Sequence, residues 1–278
     1  MADRRQIAAT RALAGAPPLA ASDAPILSIE SVHKRFDTAG GEVEALRAIT
    51  LSVARGEFVC LIGASGCGKS TLLRLIGGFE RPSEGRLVMN GAPITGPGPE
   101  RGMVFQDFGL FPWLSVRRNI AFGPAARGIP PAEVRTIADR FIGMVGLDRF
   151  ADLYPHQLSG GMKQRVAIAR VLANDALAVL MDEPFGALDA MTREHLQSQL
   201  LTLWDSTGLT VLFVTHAIEE AILLADRIIV MSPNPGRITA EIPVTLPRPR
   251  EVVSAPFNAL RADLAALLHG RSRAGGTD

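Results

Sequence analysis

Between an unbroken apolar run, Phe58-Val59-Cys60-Leu61-Ile62, and a leucine-rich stretch at helical spacing stands Gly63-Ala64-Ser65-Gly66-Cys67-Gly68-Lys69-Ser70. The pattern G-x-x-x-x-G-K-S, entered from a strand and left by a helix, is compatible with few folds. Its glycines let backbone N–H groups converge on phosphate oxygens, and the dipole of the following helix favours the same negative charge. Lys69 then pairs with β- and γ-oxygens, and the Ser70 hydroxyl is a ligand for Mg²⁺. A chance glycine-rich turn would need neither this strand nor this helix beside it.

Elsewhere strand-like and helix-like stretches alternate. Two β-rich segments from Ile26 to Val53 flank the turn signal Asp37-Thr38-Ala39-Gly40-Gly41. After the glycine loop, Leu72, Leu73, Leu75 and Ile76 keep helical spacing as far as Gly77-Gly78, and a short strand runs from Gly85 to Gly91. Strand patterns return at 177–181, 210–214 and 227–231, separated by helical patterns at 191–207 and 218–225. This alternation predicts an α/β fold on a mainly parallel, doubly wound sheet. Between Gln106 and about residue 175 the character changes. Pro130-Pro131-Ala132-Glu133 opens a helix through Val145, and Ser159 caps another to about Ala173, so the block reads as a helical insertion. Leucines at 260, 264, 267 and 268 predict a small amphipathic helix packed on its own domain rather than on a partner. The expected organisation is a flexible tail at 1–25, one domain at 26–245 with its insertion at about 107–175, and a tail at 246–278 carrying the short helix.

Further residues carry chemistry. Ala178-Val179-Leu180-Met181-Asp182-Glu183 is an apolar strand ending in two carboxylates. Asp182 is placed to bind Mg²⁺ directly or through water, and Glu183 points the other way along an extended chain, able to orient an attacking water. His216 follows Val211-Leu212-Phe213-Val214-Thr215 and so lies at a strand's C-terminal edge, where ligands bind in open α/β sheets. Gln106, after Met103-Val104-Phe105, is a neutral amide that could touch Mg²⁺ or water. Leu158-Ser159-Gly160-Gly161-Met162 puts a serine and two glycines where a helix begins. A triphosphate held by Lys69 still exposes one face of its γ-phosphate, and this segment suits that face. One copy cannot reach both ends of one nucleotide, so the pairing predicts two copies clamping ATP between them.

Over roughly residues 26–245 the chain resembles the nucleotide-binding subunits of ABC transporters. The resemblance rests on a Walker A loop at 63–70, a Q-loop glutamine at Gln106, the signature at 158–162, a Walker B strand leading to Glu183, a D-loop Asp189 in Gly186-Ala187-Leu188-Asp189, and a switch histidine at His216, all in the family's order. It implies a P-loop NTPase with a RecA-like core, an N-terminal antiparallel β-subdomain and an inserted α-helical subdomain. It further implies a head-to-tail sandwich in which Ser159, Gly160 and Gly161 of one copy meet the γ-phosphate held by Lys69 of the other. Glu183 would be the general base and His216 the γ-phosphate sensor, with Gln106 and Lys69 in the catalytic set. Nucleotide contacts would come from Gly63, Ala64, Ser65, Gly66, Cys67, Gly68, Lys69, Ser70 and Thr71, and from Asp189. Mg²⁺ would sit on Ser70, Gln106 and Asp182. Phe36 matches the aromatic that stacks on adenine, the alternative being a core phenylalanine at a strand end. Met162 departs from the family, whose signature usually closes with glutamine; the phosphate-facing groups are the serine hydroxyl and backbone N–H, so little catalytic loss is expected.

Finer likeness concerns Gly96-Pro97-Gly98-Pro99-Glu100-Arg101, Leu110-Phe111-Pro112-Trp113 and Met231-Ser232-Pro233-Asn234-Pro235-Gly236-Arg237-Ile238, which look like the nitrate/sulfonate/taurine importer group. Such importers pair the ATPase with a separate membrane permease and an extracytoplasmic solute-binding protein, and the resemblance implies a peripheral place on the cytoplasmic face of the inner membrane. Phe111, Pro112 and Trp113 are expected on the permease-docking surface, the alternative being an internal hinge plug. Composition agrees. A net charge of +1 gives no footprint for nucleic acid. No apolar run approaches the roughly 18–20 residues of a membrane span, and Asp3, Arg11 and Pro17-Pro18 interrupt the alanine-rich N-terminus as an export signal. Two cysteines, Cys60 and Cys67, read as reduced thiols. A P-loop kinase would leave 159–161 and His216 idle. A non-transport ABC protein of DNA repair or translation usually carries a second cassette or a long coiled coil, and this chain has neither.

Overall fold

The computed structural model describes residues 24–186 and 188–269. All but the last two residues of the tail expected at 1–25 lie outside the described residues, as does 270–278. The strands divide into two sheets. β1 (Leu27–Thr38), β2 (Gly41–Val53), β4 (Glu84–Met89) and the short β5 (Ala92–Pro93) form an antiparallel sheet ordered β2-β1-β4-β5. β3 (Phe58–Gly63), β6 (Arg101–Val104), β7 (Ala178–Asp182), β8 (Thr210–Val214), β9 (Arg227–Ser232) and β10 (Arg237–Pro243) form the other, ordered β10-β9-β3-β8-β7-β6. Its neighbours are parallel except β10, which runs antiparallel along the edge of β9. This is the expected α/β P-loop fold with its antiparallel N-terminal subdomain.

The central strands have no polar face. Every residue of β3, β7 and β8 is buried, as parallel strands covered on both sides require. Their side chains alternate between two cores. Phe58, Cys60, Ile62, Val179, Met181 and Phe213 enter one, which is filled by helices. Val59, Leu61, Leu180, Leu212 and Val214 enter the other, closed by the antiparallel sheet and by α1 (Lys69–Gly77). The parallel sheet is thus the middle of three layers. Helices do not share its two faces evenly, because β1, β2 and β4 occupy the face on which α1 lies.

The helical layer holds α2 (Val116–Ala126), α3 (Pro131–Met144), α4 (Gly160–Leu172), α5 (Ala190–Thr207), α6 (Ile218–Leu224) and α7 (Ala255–His269). Ile120 of α2, Phe141 of α3 and Val166 of α4 join the same buried cluster as Phe58 and Phe213, so the inserted helices share the domain's core. Helix α2 escaped the periodicity reading because Gly123 and Pro124 interrupt it. It forms nonetheless. Ser115 caps it by accepting the Arg118 N–H at 3.4 Å, and its Val116 and Ile120 are buried.

The C-terminal segment is fastened rather than trailing. The Arg250 guanidinium donates to the carbonyls of Ile222 (2.6 Å), Leu223 (3.3 Å) and Ala225 (2.6 Å), groups that the end of α6 leaves open. Beyond it, Phe257 and Leu264 of α7 are fully buried against the helical core. Phe257→Ala should therefore lower stability by about 3–5 kcal/mol, read as a reduced midpoint in urea denaturation; a wild-type midpoint would mean that α7 contributes nothing to the fold.

Candidate active site

The parallel strands deliver their ends to one edge. Register pairs Leu61 of β3 and Asp182 of β7 with the same residue of β8, Val214. The chain therefore leaves β3 into 63–70, β7 into Glu183 and β8 into His216 at neighbouring points, and the ordered alternation of apolar strands brings distant motifs together.

The phosphate loop is packed as tightly as its glycines imply. Gly68 stands at the N-cap of α1 with φ +90°, a conformation that favours glycine, and a Cβ there would lie 2.4 Å from Leu46 Cδ2. No side chain caps α1 and no acidic residue lies in its first turn, so its opening N–H groups are suited to an anion. Lys69 is buried, and its Nζ donates to Gly63 O at 2.8 Å and Ala64 O at 3.1 Å, with Cys67 Sγ at 3.7 Å. Ala64, Ser65 and Gly66 are exposed at the mouth of the loop, and Cys67 is buried beneath it.

Ser70 ties the loop to the next strand. Its hydroxyl donates to Asp182 Oδ1 at 3.0 Å. Asp182 is only 6% exposed. Burial pushes its carboxyl above the ordinary aspartate value, the neighbouring Glu183 acts in the same direction, and the Ser70 hydroxyl, Arg74 and Lys69 oppose them. Such a carboxylate is poised to gain from a nearby cation.

Glu183 corrects one expectation. The chain there is not extended: Glu183 has φ +48°, in the left-handed region. Its N–H still donates to Val214 O at 3.0 Å, and its carbonyl accepts from Gly186 N at 3.2 Å, closing a turn. That turn sends Phe185 into the core and leaves the carboxylate at the edge, where Glu183 Oε2 lies 3.2 Å from His216 Nδ1. A non-glycine residue in this conformation costs on the order of 1–3 kcal/mol, and such strain concentrates at functional sites. The His216 side chain is 69% exposed.

The other expected residues stand apart. Gln106 is exposed just beyond β6, whose Val104 pairs with Met181. Phe36 lies on β1 of the antiparallel sheet, half-buried rather than in the core, with Lys34 Nζ 4.6 Å from its ring centre. Thr71 is half-buried on α1. Ser159 caps α4, its Oγ accepting the Met162 N–H at 3.3 Å, and Ser159 and Gly160 are exposed while Gly161 is half-buried. Met162 packs on the helical core, an apolar role that a glutamine would not fill. Asp189 caps α5, accepting the Thr192 N–H at 3.0 Å and the Thr192 hydroxyl at 2.7 Å, and these bonds hold its carboxyl below the usual range. Among the described residues no hydrogen bond joins 158–162 to 63–71.

The ABC transporter family profile matches residues 46–186. The chain belongs to the ABC transporter family. Its cassette is 49% identical over 242 residues to an uncharacterized ABC transporter ATP-binding protein of Methanocaldococcus jannaschii, covering 87% of this chain and 91% of that one. It is 51% identical over 216 residues to the taurine import ATP-binding protein TauB of Roseobacter denitrificans, covering 77% and 81%. The dimeric structure of an ATP-binding cassette in a post-hydrolysis state, bound to ADP and Pi, matches with a TM-score of 0.72 at 34% identity, over 79% of this chain and 99% of that one. The cassette stands among the ATP-binding subunits of the nitrate/sulfonate/taurine importer group and is an ATPase coupled to transport.

One contributor to the cassette's site was not singled out by the sequence. Gly236, between β9 and β10, donates its N–H to Ala45 O at 2.9 Å and accepts from Arg47 N at 2.9 Å. A Cβ at Gly236 would lie 2.4 Å from Cys67 O, so its backbone is pressed against the phosphate loop. The run Asn234-Pro235-Gly236 signals a turn but not what the turn touches. Gly236→Ala should displace the loop and weaken ATP binding by at least about tenfold, measured by titration with a fluorescent ATP analogue on protein of unchanged circular dichroism.

Proposed function

We propose that two copies of this chain clamp ATP at their seam and that its hydrolysis drives uptake of a small anionic solute through a separate membrane permease. The observation that carries this reading is the division of the site: 63–70, Asp182, Glu183 and His216 gather at one sheet edge, whereas Ser159 and Gly160 face outward and make no hydrogen bond to them. The dimeric cassette with ADP and Pi supports the pairing.

Within the clamp, Lys69 and the N-terminus of α1 hold the phosphates, and Phe36 stacks on adenine. Glu183 is the general base, set beside the phosphate by its left-handed turn. His216 contacts the γ-phosphate. Gln106 senses the same end of the nucleotide, and Asp189 meets the partner copy from the cap of α5. The Ser70 hydroxyl and Asp182 fit Mg²⁺, because hard oxygen donors, one of them a buried carboxylate of raised pKa, suit an ion that otherwise keeps waters and substrate phosphates. When bound, Mg²⁺ neutralises charge on the β- and γ-oxygens. ADP lacks the bridging γ-phosphate, so hydrolysis reopens the pair.

Coupling to a permease is supported by the loop after Gln106. Asn119, fully buried, accepts the Phe111 N–H at 2.9 Å and donates to the carbonyls of Phe111 (3.1 Å), Leu114 (2.9 Å) and Ser115 (3.1 Å). This holds Trp113 outward, 70% exposed, against Phe111. Phe122 adds to the same aromatic surface at 4.5 Å from Phe111. An internal plug would bury Trp113, so the docking surface is the better reading. Arg170 on α4 donates to Gly109 O at 2.7 Å and lies over Phe111, linking the docking loop to the helix that Ser159 caps. Among the described residues no helix is long and apolar enough to cross a membrane, consistent with a peripheral subunit on the cytoplasmic face of the inner membrane. A solute-binding protein completes the importer. The taurine import relative supports a solute bearing a sulfonate, and a bicarbonate transport relative of Synechococcus elongatus supports a small anion.

Glu183→Gln should keep ATP binding, slow turnover at least about a hundredfold, and accumulate an ATP-bound dimer in size-exclusion chromatography; near-normal turnover would refute the base. Ser159→Arg should abolish hydrolysis while leaving ATP affinity of the single chain unchanged in equilibrium titration. Full activity in that variant would refute the two-copy site.

A further inference from the structure

Glu220 is a buried carboxylate for which the active-site reading has no use. It lies in the first turn of α6 and is 7% exposed. Gln197, itself 8% exposed on α5, donates its Nε2–H to Glu220 Oε1 at 2.9 Å. Burial pushes Glu220 above the ordinary glutamate value, and Thr215 and Gln197 offset part of that cost, with smaller help from Arg193 and His216.

The chain on both sides of His216 is fixed. Thr215 is 2% exposed, its N–H donates to Leu61 O at 3.2 Å, and its Oγ1 accepts the Ala217 N–H at 3.0 Å. Glu220 follows in the first turn of α6, the helix into which this loop runs. The imidazole is largely exposed, with Glu183 Oε2 3.2 Å from its Nδ1. Its position is accordingly set by its backbone rather than by packing around the ring. On the far side, Gln197 lies one turn beyond Arg193 on α5, and Arg193 Nη2 donates to Leu188 O at 2.9 Å, beside the cap residue Asp189. Arg193 and Gln197 thus stand one turn apart on the helix that Asp189 opens, one bonded to Leu188 and the other to Glu220.

We propose that Glu220 is a positioning residue: its buried bond to Gln197 pins the start of α6, and with it the loop that carries His216, to the helix opened by Asp189. The proposal rests on the reading of His216 as a γ-phosphate contact. Glu220→Gln can keep the bond, since its carbonyl accepts from the Gln197 amide. Glu220→Leu keeps the apolar bulk and loses it.

The test uses the full chain and two readouts: steady-state ATP hydrolysis, and the ring Cε1–H resonance of His216 assigned by its loss in His216→Ala. Glu220→Leu should lower kcat at least about tenfold with little change in KM, and should shift or broaden the His216 resonance. Glu220→Gln should restore both, with kcat within about threefold of the parent. In a His216→Ala background, Glu220→Leu should cause no further loss, because its effect passes through the histidine. Should Glu220→Leu fail to fold, Gln197→Leu, which cuts the same bond from α5, should still shift the resonance and lower kcat. A folded Glu220→Leu or Gln197→Leu with an unmoved His216 resonance and parental kcat would overturn the proposal. Unchanged hydrolysis in His216→Ala alone would instead overturn the role given to the histidine, and the resonance would still report whether Glu220 positions it.

Discussion

The hydrogen bond from Ser70 to Asp182, 3.0 Å long, joins the phosphate loop to the end of a strand more than a hundred positions away in the chain. It exists because β3 and β7 flank β8 in parallel and in register, with Leu61 and Asp182 opposite the same valine. Once that register is set, the loop after β3, the carboxylates after β7 and the histidine after β8 must share one edge. Register in turn depends on the uninterrupted apolar faces of the three strands, each buried in a different core on each side. A slip by one residue would exchange Val59, Leu61, Leu180 and Val214 with the residues facing the helices, and both cores would be mismatched.

The same burial that sets the register creates the electrostatic character of the edge. Asp182 is the last residue of a fully buried strand, so its carboxyl is desolvated and pushed upward, with Glu183 adjacent. Two acids side by side in a partly dry setting favour a cation between protein and phosphate over either acid alone. Glu183 escapes the strand direction through its left-handed turn, which separates the two carboxylates by function: one faces Ser70 and the other His216. The strain is held by a ladder bond to Val214 and by the fully packed Phe185.

The two halves of the proposed clamp differ in construction. The phosphate loop is enclosed by backbone from three segments, including Gly236 from the edge of the sheet. The signature segment is a plain helix cap on α4, exposed and anchored from below by Met162. Its helix also carries Arg170, which grips the loop bearing Phe111 and Trp113. Helix α4 thus carries the cap at Ser159 at one end and holds the loop bearing Phe111 and Trp113 farther along, the link that the proposed coupling requires.

Several features were legible in the residues themselves. Continuous apolar runs announced doubly covered strands, because only a parallel interior tolerates Phe58-Val59-Cys60-Leu61-Ile62 without a polar face. Glycine spacing announced the phosphate loop, since few other residues fit that backbone. Helix α2 was hidden because propensity rules penalise Gly123 and Pro124, while the buried Asn119 that secures its neighbouring loop leaves no periodic trace. The turn at Glu183 was misjudged as extended chain, for nothing local announces a left-handed glutamate. Gly236, Gln197 and Glu220 were equally silent, because a glycine's contact or a carboxylate's burial belongs to segments that meet only in space. Local chemistry and periodicity determined which residues could hold phosphate, metal and water and which strands would be interior. Tertiary packing alone decided which of them touch, which carboxylate is desolvated, and that the exposed serine of 158–162 makes no hydrogen bond to the phosphate loop among the described residues, since those outcomes depend on long-range register and not on neighbours in sequence.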